Sequence, residues 1–172
     1  KLLIGVKDNG NIAGVRSEEE FYMAEAAAAM YCSPNVKFES KEWNINGKKV
    51  LELTIFKSED KPHFALNGEE KWIAYIRVKD QNIAVNRVLL NAWKRKQRPE
   101  GTYVNYSEKE RLLLEYLEEN DQISVSKFKR IAKISQYKAE NILVNFLALD
   151  IIKIHISEKK VHYSLSDNFS LE

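Results

Sequence analysis

The chain has 172 residues, 44% of them hydrophobic, 30% charged and 10% aromatic, with a formal net charge of +2. That balance supplies apolar material for one or two modest cores and excludes disorder along the whole length. No apolar run approaches the roughly 20 residues that cross a bilayer, the opening residues lack the apolar core of a signal peptide, and one cysteine, Cys32, cannot close an internal disulfide.

These features predict a cytoplasmic, reducing setting. Cys32 with His63, His155 and His162 offers no zinc spacing, so no metal site and no cofactor are expected. The chain opens on Lys1 directly into a strand-like run, as expected of a segment of a longer protein, here one incomplete at its N-terminus.

The small net charge hides a sorted distribution. Residues 86–98 carry five basic residues and no acid, 107–121 carry six acids against two bases, and 127–160 carry eight bases against three acids. Segregation of this kind speaks to partners more than the total does.

In chain order, Leu2–Val6 is a short apolar run ended by the turn residues Asp8-Asn9-Gly10-Asn11, and Ile12–Val15 reads as its returning strand, a β-hairpin. Ser17 with Glu20 has capping-box spacing, which predicts a helix over 18–32 that Ser33-Pro34 stops. Alternation over 36–43 and 50–56, joined through Asn46-Gly47, predicts a second hairpin, and Trp72–Val78 a further strand. A basic helix follows near 86–97, anchored by Val88, Leu89, Ala92 and Trp93.

Pro99-Glu100-Gly101-Thr102 punctuates the chain after that helix, so the expected domains are 1–98 and 107–172 with a linker over 99–106. Ser107 with Glu110 predicts a helix holding Leu112, Leu113, Tyr116 and Leu117. Ile123–Val125 reads as a short strand, Ser126 as the cap of a helix with Phe128, Ile131 and Ala132, and Ser135 as the cap of a third helix burying Tyr137, Ile142, Leu143, Phe146 and Leu147. Ile152–Ile156 and Val161–Leu165 flank a Ser157–Lys160 turn. Three helices and a terminal hairpin describe a winged helix-turn-helix, so the overall expectation is an α+β chain with a mainly antiparallel sheet domain followed by that module.

With the apolar stripe of the third helix turned inward, Gln136, Lys138, Asn141 and Asn145 remain outside, residue types that meet phosphates and base edges. Lys127, Lys129, Arg130 and Lys133 on the preceding helix, with Lys159 and Lys160 at the hairpin tip, are cations of the sort that neutralise phosphates. Arg87, Lys94, Arg95 and Lys96 extend the surface if the basic helix joins it, or form a solvated face if it does not. The bland alternative for the whole module is protein binding, since fold alone is not function.

Three pieces of the first segment, KLLIGVKDNGNIAGV, then KPHF, then WIAYIRVKDQNIAVNRVLLNAWKRK, resemble the AlbA-like domain shared by Schlafen proteins and many bacterial predicted transcriptional regulators. Gly5-Val6-Lys7-Asp8-Asn9-Gly10 and Tyr75-Ile76-Arg77-Val78 carry the resemblance, which covers about 1–98. It implies nucleic-acid binding, a winged helix behind it, and, by analogy with animal Schlafens, RNA cleavage by three acidic residues. Of those three positions only Asp8 falls in this chain, and a lone carboxylate cannot hold a nuclease's metal ions; Asp8 reads instead as a turn residue accepting local backbone N–H groups.

Nucleotide binding is not expected, because no phosphate loop is present and Gly5, Gly10 and Gly14 lie at hairpin spacing. His63, in Lys61-Pro62-His63-Phe64, has no partner placed for catalysis and reads as a loop histidine. The expected function is a DNA-binding transcriptional regulator acting on double-stranded DNA, with homodimerisation open; the competing readings are a metal-dependent RNA-cleaving enzyme in the longer protein and a protein-interaction module.

Overall fold

A computed structural model describes residues 1–101, 103, 106–158 and 160–169. The described residues are mixed α+β, with small antiparallel sheets and five helices, and they form two compact units, Lys1–Ala74 and Tyr75–Glu172.

The first unit contains β1 (Leu2–Ile4), α1 (Glu19–Ala29), β2 (Cys32–Ser33), β3 (Phe38–Ile45), β4 (Lys48–Ile55), β5 (Phe64–Leu66) and β6 (Trp72–Ile73). The β3–β4 hairpin forms as its sequence dictates: Ile45 pairs with Lys48 across a two-residue turn, and Asn46 and Gly47 both take positive φ, 52° and 76°. That turn matches the right-handed twist of the strands it joins. In the sheet order β1-β4-β3 the run at 2–4 does not pair with 12–15 as expected. Leu2 lies opposite Leu53 and Ile4 opposite Leu51, because the apolar centre of β4 offers a better partner than a run containing Gly14. The inner end of the expected hairpin does form: Val6 bridges Ile12, and beside it the Lys7 N–H donates to the Asn11 carbonyl and the Ala13 N–H to the Gly5 carbonyl, each at 2.9 Å.

Helix α1 starts one residue inside the predicted window and ends three residues short of it. The Glu20 carboxylate accepts the N–H groups of Arg16 and Ser17, each at 3.2 Å, which holds its pKa below the usual carboxylate range. The helix buries none of its residues. Full burial in this unit is confined to Val50, Leu51, Leu53 and Ala74 among the described residues.

The second unit begins with a hairpin the sequence did not announce, β7 (Tyr75–Val78) with β8 (Gln81–Ala84), where Lys79 takes a φ of 53° in the turn. Then come α2 (Arg87–Lys96), α3 (Glu108–Glu119), α4 (Val125–Ala132), α5 (Gln136–Ala148), and the antiparallel pair β9 (Ile152–Ile156) and β10 (Val161–Leu165). Caps set these boundaries. Ser107 and Glu110 form the predicted capping box, and Ser135 Oγ accepts the N–H of Lys138 at 3.2 Å. The α4 cap is Ser124, not Ser126: its Oγ accepts the N–H of Lys127 at 3.2 Å, so Val125 starts the helix and Ile123 alone forms a bridge, to Tyr163.

One apolar cluster runs from Val88 and Ala92 on α2 through Leu113, Leu117, Ile123, Phe128, Leu143 and Phe146 to Ile152 and Tyr163. The basic helix therefore belongs to this core, which is why the compact units divide after Ala74, whereas the proline and glycine punctuation suggested a division at 99–106.

Candidate nucleic-acid interface

Helix α5 decides the shape of the surface. On the helical repeat, Ala139, Ile142, Leu143 and Phe146 form the inward stripe and all are buried. Val144 and Ala148 are buried as well, at 1% and 7% exposure, although they stand off that stripe. They share a flank with Asn141 and Asn145, and α2 packs along that flank: the Arg95 guanidinium donates to the Asn145 side-chain carbonyl, and Lys96 Nζ lies 2.5 Å from Asp150 just past the helix end. Asn145 is therefore half-buried and bonded to α2, a correction to its reading as an outward residue, and Asn141 is half-buried as well.

The first turn of α5 remains open. Lys138 is exposed, and Gln136 is exposed but donates its amide to Glu140 Oε1 at 2.7 Å. Tyr137, predicted for the core, is 74% exposed. The reason is geometric: Tyr137 falls seven residues before Val144, on the flank that α2 covers, but beyond where α2 reaches. The signal was in the sequence, because Tyr137 has no i+3 or i+4 relation to the Ile142, Leu143 and Phe146 stripe beyond Ala139's side of the helix.

Helix α4 brings cations up to that turn. Lys129 and Arg130 are exposed in its last turn, and Lys133 is exposed at its C-cap with a φ of 52°, the left-handed conformation that ends α4 and redirects the chain to Ser135. Lys127 is half-buried, with Nζ 5.8 Å from the Tyr116 ring centroid. At the hairpin turn Lys160 is exposed and its carbonyl accepts the Ser157 N–H at 2.9 Å; Lys159 lies outside the described residues. On α2, Arg87 and Lys94 are exposed, Arg95 is half-buried against Asn145 of α5, and Lys96 is exposed but ion-paired with Asp150.

The first unit presents less. Asp8 is exposed in its turn, where Asn9 and not Asp8 accepts the local backbone donor, the N–H of Asn11 at 3.0 Å. His63 Nδ1 lies 2.8 Å from the Pro34 carbonyl, and its Nε2 is buried without a partner. Burial pushes the Cys32 thiol pKa up, the direction of an inert thiol. A cleft of about 480 Å3 opens between the start of α1 and the sheet, where Arg16 and Lys49 are matched by Glu18 and Glu42, a lining without the charge excess a polyanion needs. Among the described residues no three His, Cys, Asp or Glu side chains converge on a metal position, and no helix is long and apolar enough to cross a membrane.

The sequence profile described as Schlafen, AlbA_2 matches residues 1–86, ending on Asn86, whose side chain caps α2 by accepting the Leu89 N–H at 2.8 Å. That family is associated with DNA and RNA binding. No curated protein and no solved structure matches the chain. The match takes in β1 to β8 and half of the 172 residues, and the chain belongs to the Schlafen, AlbA_2 family.

Proposed function

We propose that the chain is a DNA-binding transcriptional regulator, in which α3, α4 and α5 with the β9–β10 hairpin act as a winged helix-turn-helix behind the AlbA-type segment. The observation that carries this reading is the gathering of exposed cations at the α4–α5 junction, Lys129, Arg130, Lys133 and Lys138, with Glu140 as the acid on α5, while α3 carries Glu108, Glu110, Glu115, Glu118 and Glu119. Basic side chains at the start of the second helix of such a pair bind the phosphates that flank a major groove, and Lys160 on the hairpin serves as the wing contact. The partner is double-stranded DNA, bound by one copy or by a homodimer on paired half-sites.

Duplex affinity measured at several salt concentrations tests this. Arg130→Ala and Lys138→Ala should each flatten the slope of log affinity against log salt by about 0.9. Unchanged affinity and slope in both variants would remove the reading.

The cover of α2 over α5 favours one further reading, a protein-interaction module, since it shortens the surface a groove can take in. Salt-insensitive duplex binding would favour that module. We read no RNA cleavage in this chain, because Asp8 stands without a second carboxylate in its turn; an RNA cleavage assay on the chain alongside the duplex titration checks it.

A further inference from the structure

We propose that Tyr137 is the residue through which α5 selects sequence, and that what it recognises is the 5-methyl group of a thymine in the major groove. The inference rests on the DNA-binding reading above and adds to it the base contact that sets specificity.

Two of the polar readers of α5 are engaged within the protein and the third is partly covered. Asn145 accepts from Arg95 under α2, the Gln136 amide is held by Glu140 at 2.7 Å, and Asn141 is half-buried. Burial of Val144 and Ala148 closes the C-terminal half of the outer flank. Beside Gln136, which Glu140 holds, what projects from the first turn is the Lys138 ammonium, suited to phosphate, and the Tyr137 ring, 74% exposed. Among the described residues the ring makes no hydrogen bond or ring contact, although its position continues an apolar flank of the same helix.

An aromatic surface left in water at the turn that leads into a groove matches an apolar target, and the thymine methyl is the one apolar group that base edges display in the major groove. Discrimination then comes from burial of ring against methyl, not from amide hydrogen bonds. It is confined to one helical turn, so each copy of the chain reads a short stretch of sequence.

The experiment selects duplexes from a random pool with the full chain. Affinities are then measured for the selected duplex, the same duplex with each thymine replaced in turn by uracil, and an unrelated duplex. Replacing one thymine by uracil should weaken the native chain by about fivefold and leave Tyr137→Ala unaffected. Tyr137→Ala should lose about tenfold on the selected duplex and less than about twofold on the unrelated one. Tyr137→Phe, which keeps the ring, should retain the native pattern.

Equal loss on both duplexes, or uracil sensitivity that survives in Tyr137→Ala, overturns the assignment while leaving DNA binding standing. Failure of the native chain to bind or select any duplex overturns both. Circular dichroism of the variants confirms that the fold is kept, as the exposure of the side chain leads one to expect.

Discussion

The guanidinium of Arg95 on α2 donates a hydrogen bond to the side-chain carbonyl of Asn145 on α5, fifty residues along the chain. Two helices that the sequence assigned to different domains thus share a polar lock at the edge of an apolar seam that includes Val88 and Ala92.

Removing the acceptor should be felt. Asn145→Ala leaves a half-buried guanidinium without its partner, and a loss of about 1–2 kcal/mol in urea unfolding of the chain is expected. Arg95→Ala should cost less, because the amide it abandons is uncharged. Equal and negligible effects would show that the pair adds nothing to the seam.

Glu110 is buried to 7% exposure, and its carboxylate accepts from both the Ser107 backbone N–H, at 3.1 Å, and the Ser107 hydroxyl. Glu110→Ala should destabilise the second unit by about 1 kcal/mol, whereas Glu110→Gln keeps an acceptor and should cost roughly half as much. Thermal unfolding followed by far-ultraviolet circular dichroism distinguishes the two.

Tyr163 lies wholly inside the second unit, at 0% exposure, and its hydroxyl, turned toward the Asn86 side chain, stops short of a hydrogen bond. Burial pushes its pKa well above that of a free tyrosine. A hydroxyl without a partner costs stability, so Tyr163→Phe should be neutral or stabilising by up to about 1 kcal/mol. A loss larger than that in denaturant unfolding would mean that Asn86 bonds the hydroxyl.

In the first unit Glu52 accepts from Lys1 Nζ and from Trp43 Nε1, the latter at 2.8 Å, and these bonds hold its pKa below the usual carboxylate range. A carboxylate with a depressed folded-state pKa stabilises the fold above its unfolded value, near about 4.3, and that contribution drains away as pH falls through the folded value. The melting temperature of the chain should therefore drop on acidification, and Glu52→Gln should drop less. An identical pH dependence in the two proteins would show that the Lys1 and Trp43 bonds do not couple to folding. Glu20 and Asp167, whose pKa values are lowered by the Arg16 N–H and by Lys153 respectively, keep the residual slope in the variant from vanishing.

Elements with a local cause were legible. The Asn46-Gly47 turn, the Ser107 and Ser135 caps and the β9–β10 pair all stand where residue chemistry put them, because each is decided within about four residues. What failed was decided at long range. Leu2 to Ile4 chose β4 over the nearby 12–15 run, and the second apolar flank of α5 could be understood only once α2 was seen to lie on it. The candidate surface divides the same way. Lys129, Arg130, Lys133 and Lys138 are exposed as solvated helix faces predict, and the offset of Tyr137 from the Ile142, Leu143 and Phe146 stripe already marks it as outward, whereas the places of Asn145 and Arg95 depend on a neighbour that covers one end of α5 and not the other.

The Pro99–Gly101 punctuation invites a cut there, and a fragment trimmed to begin at Ser107 would still hold three helices and a hairpin. It would also strip Val144 and Ala148 of their cover and leave a greasy ledge beside Asn145, so such a piece should clump more readily than the longer chain. Any biochemistry done on the isolated C-terminal piece would then report on that bared ledge as much as on the native protein.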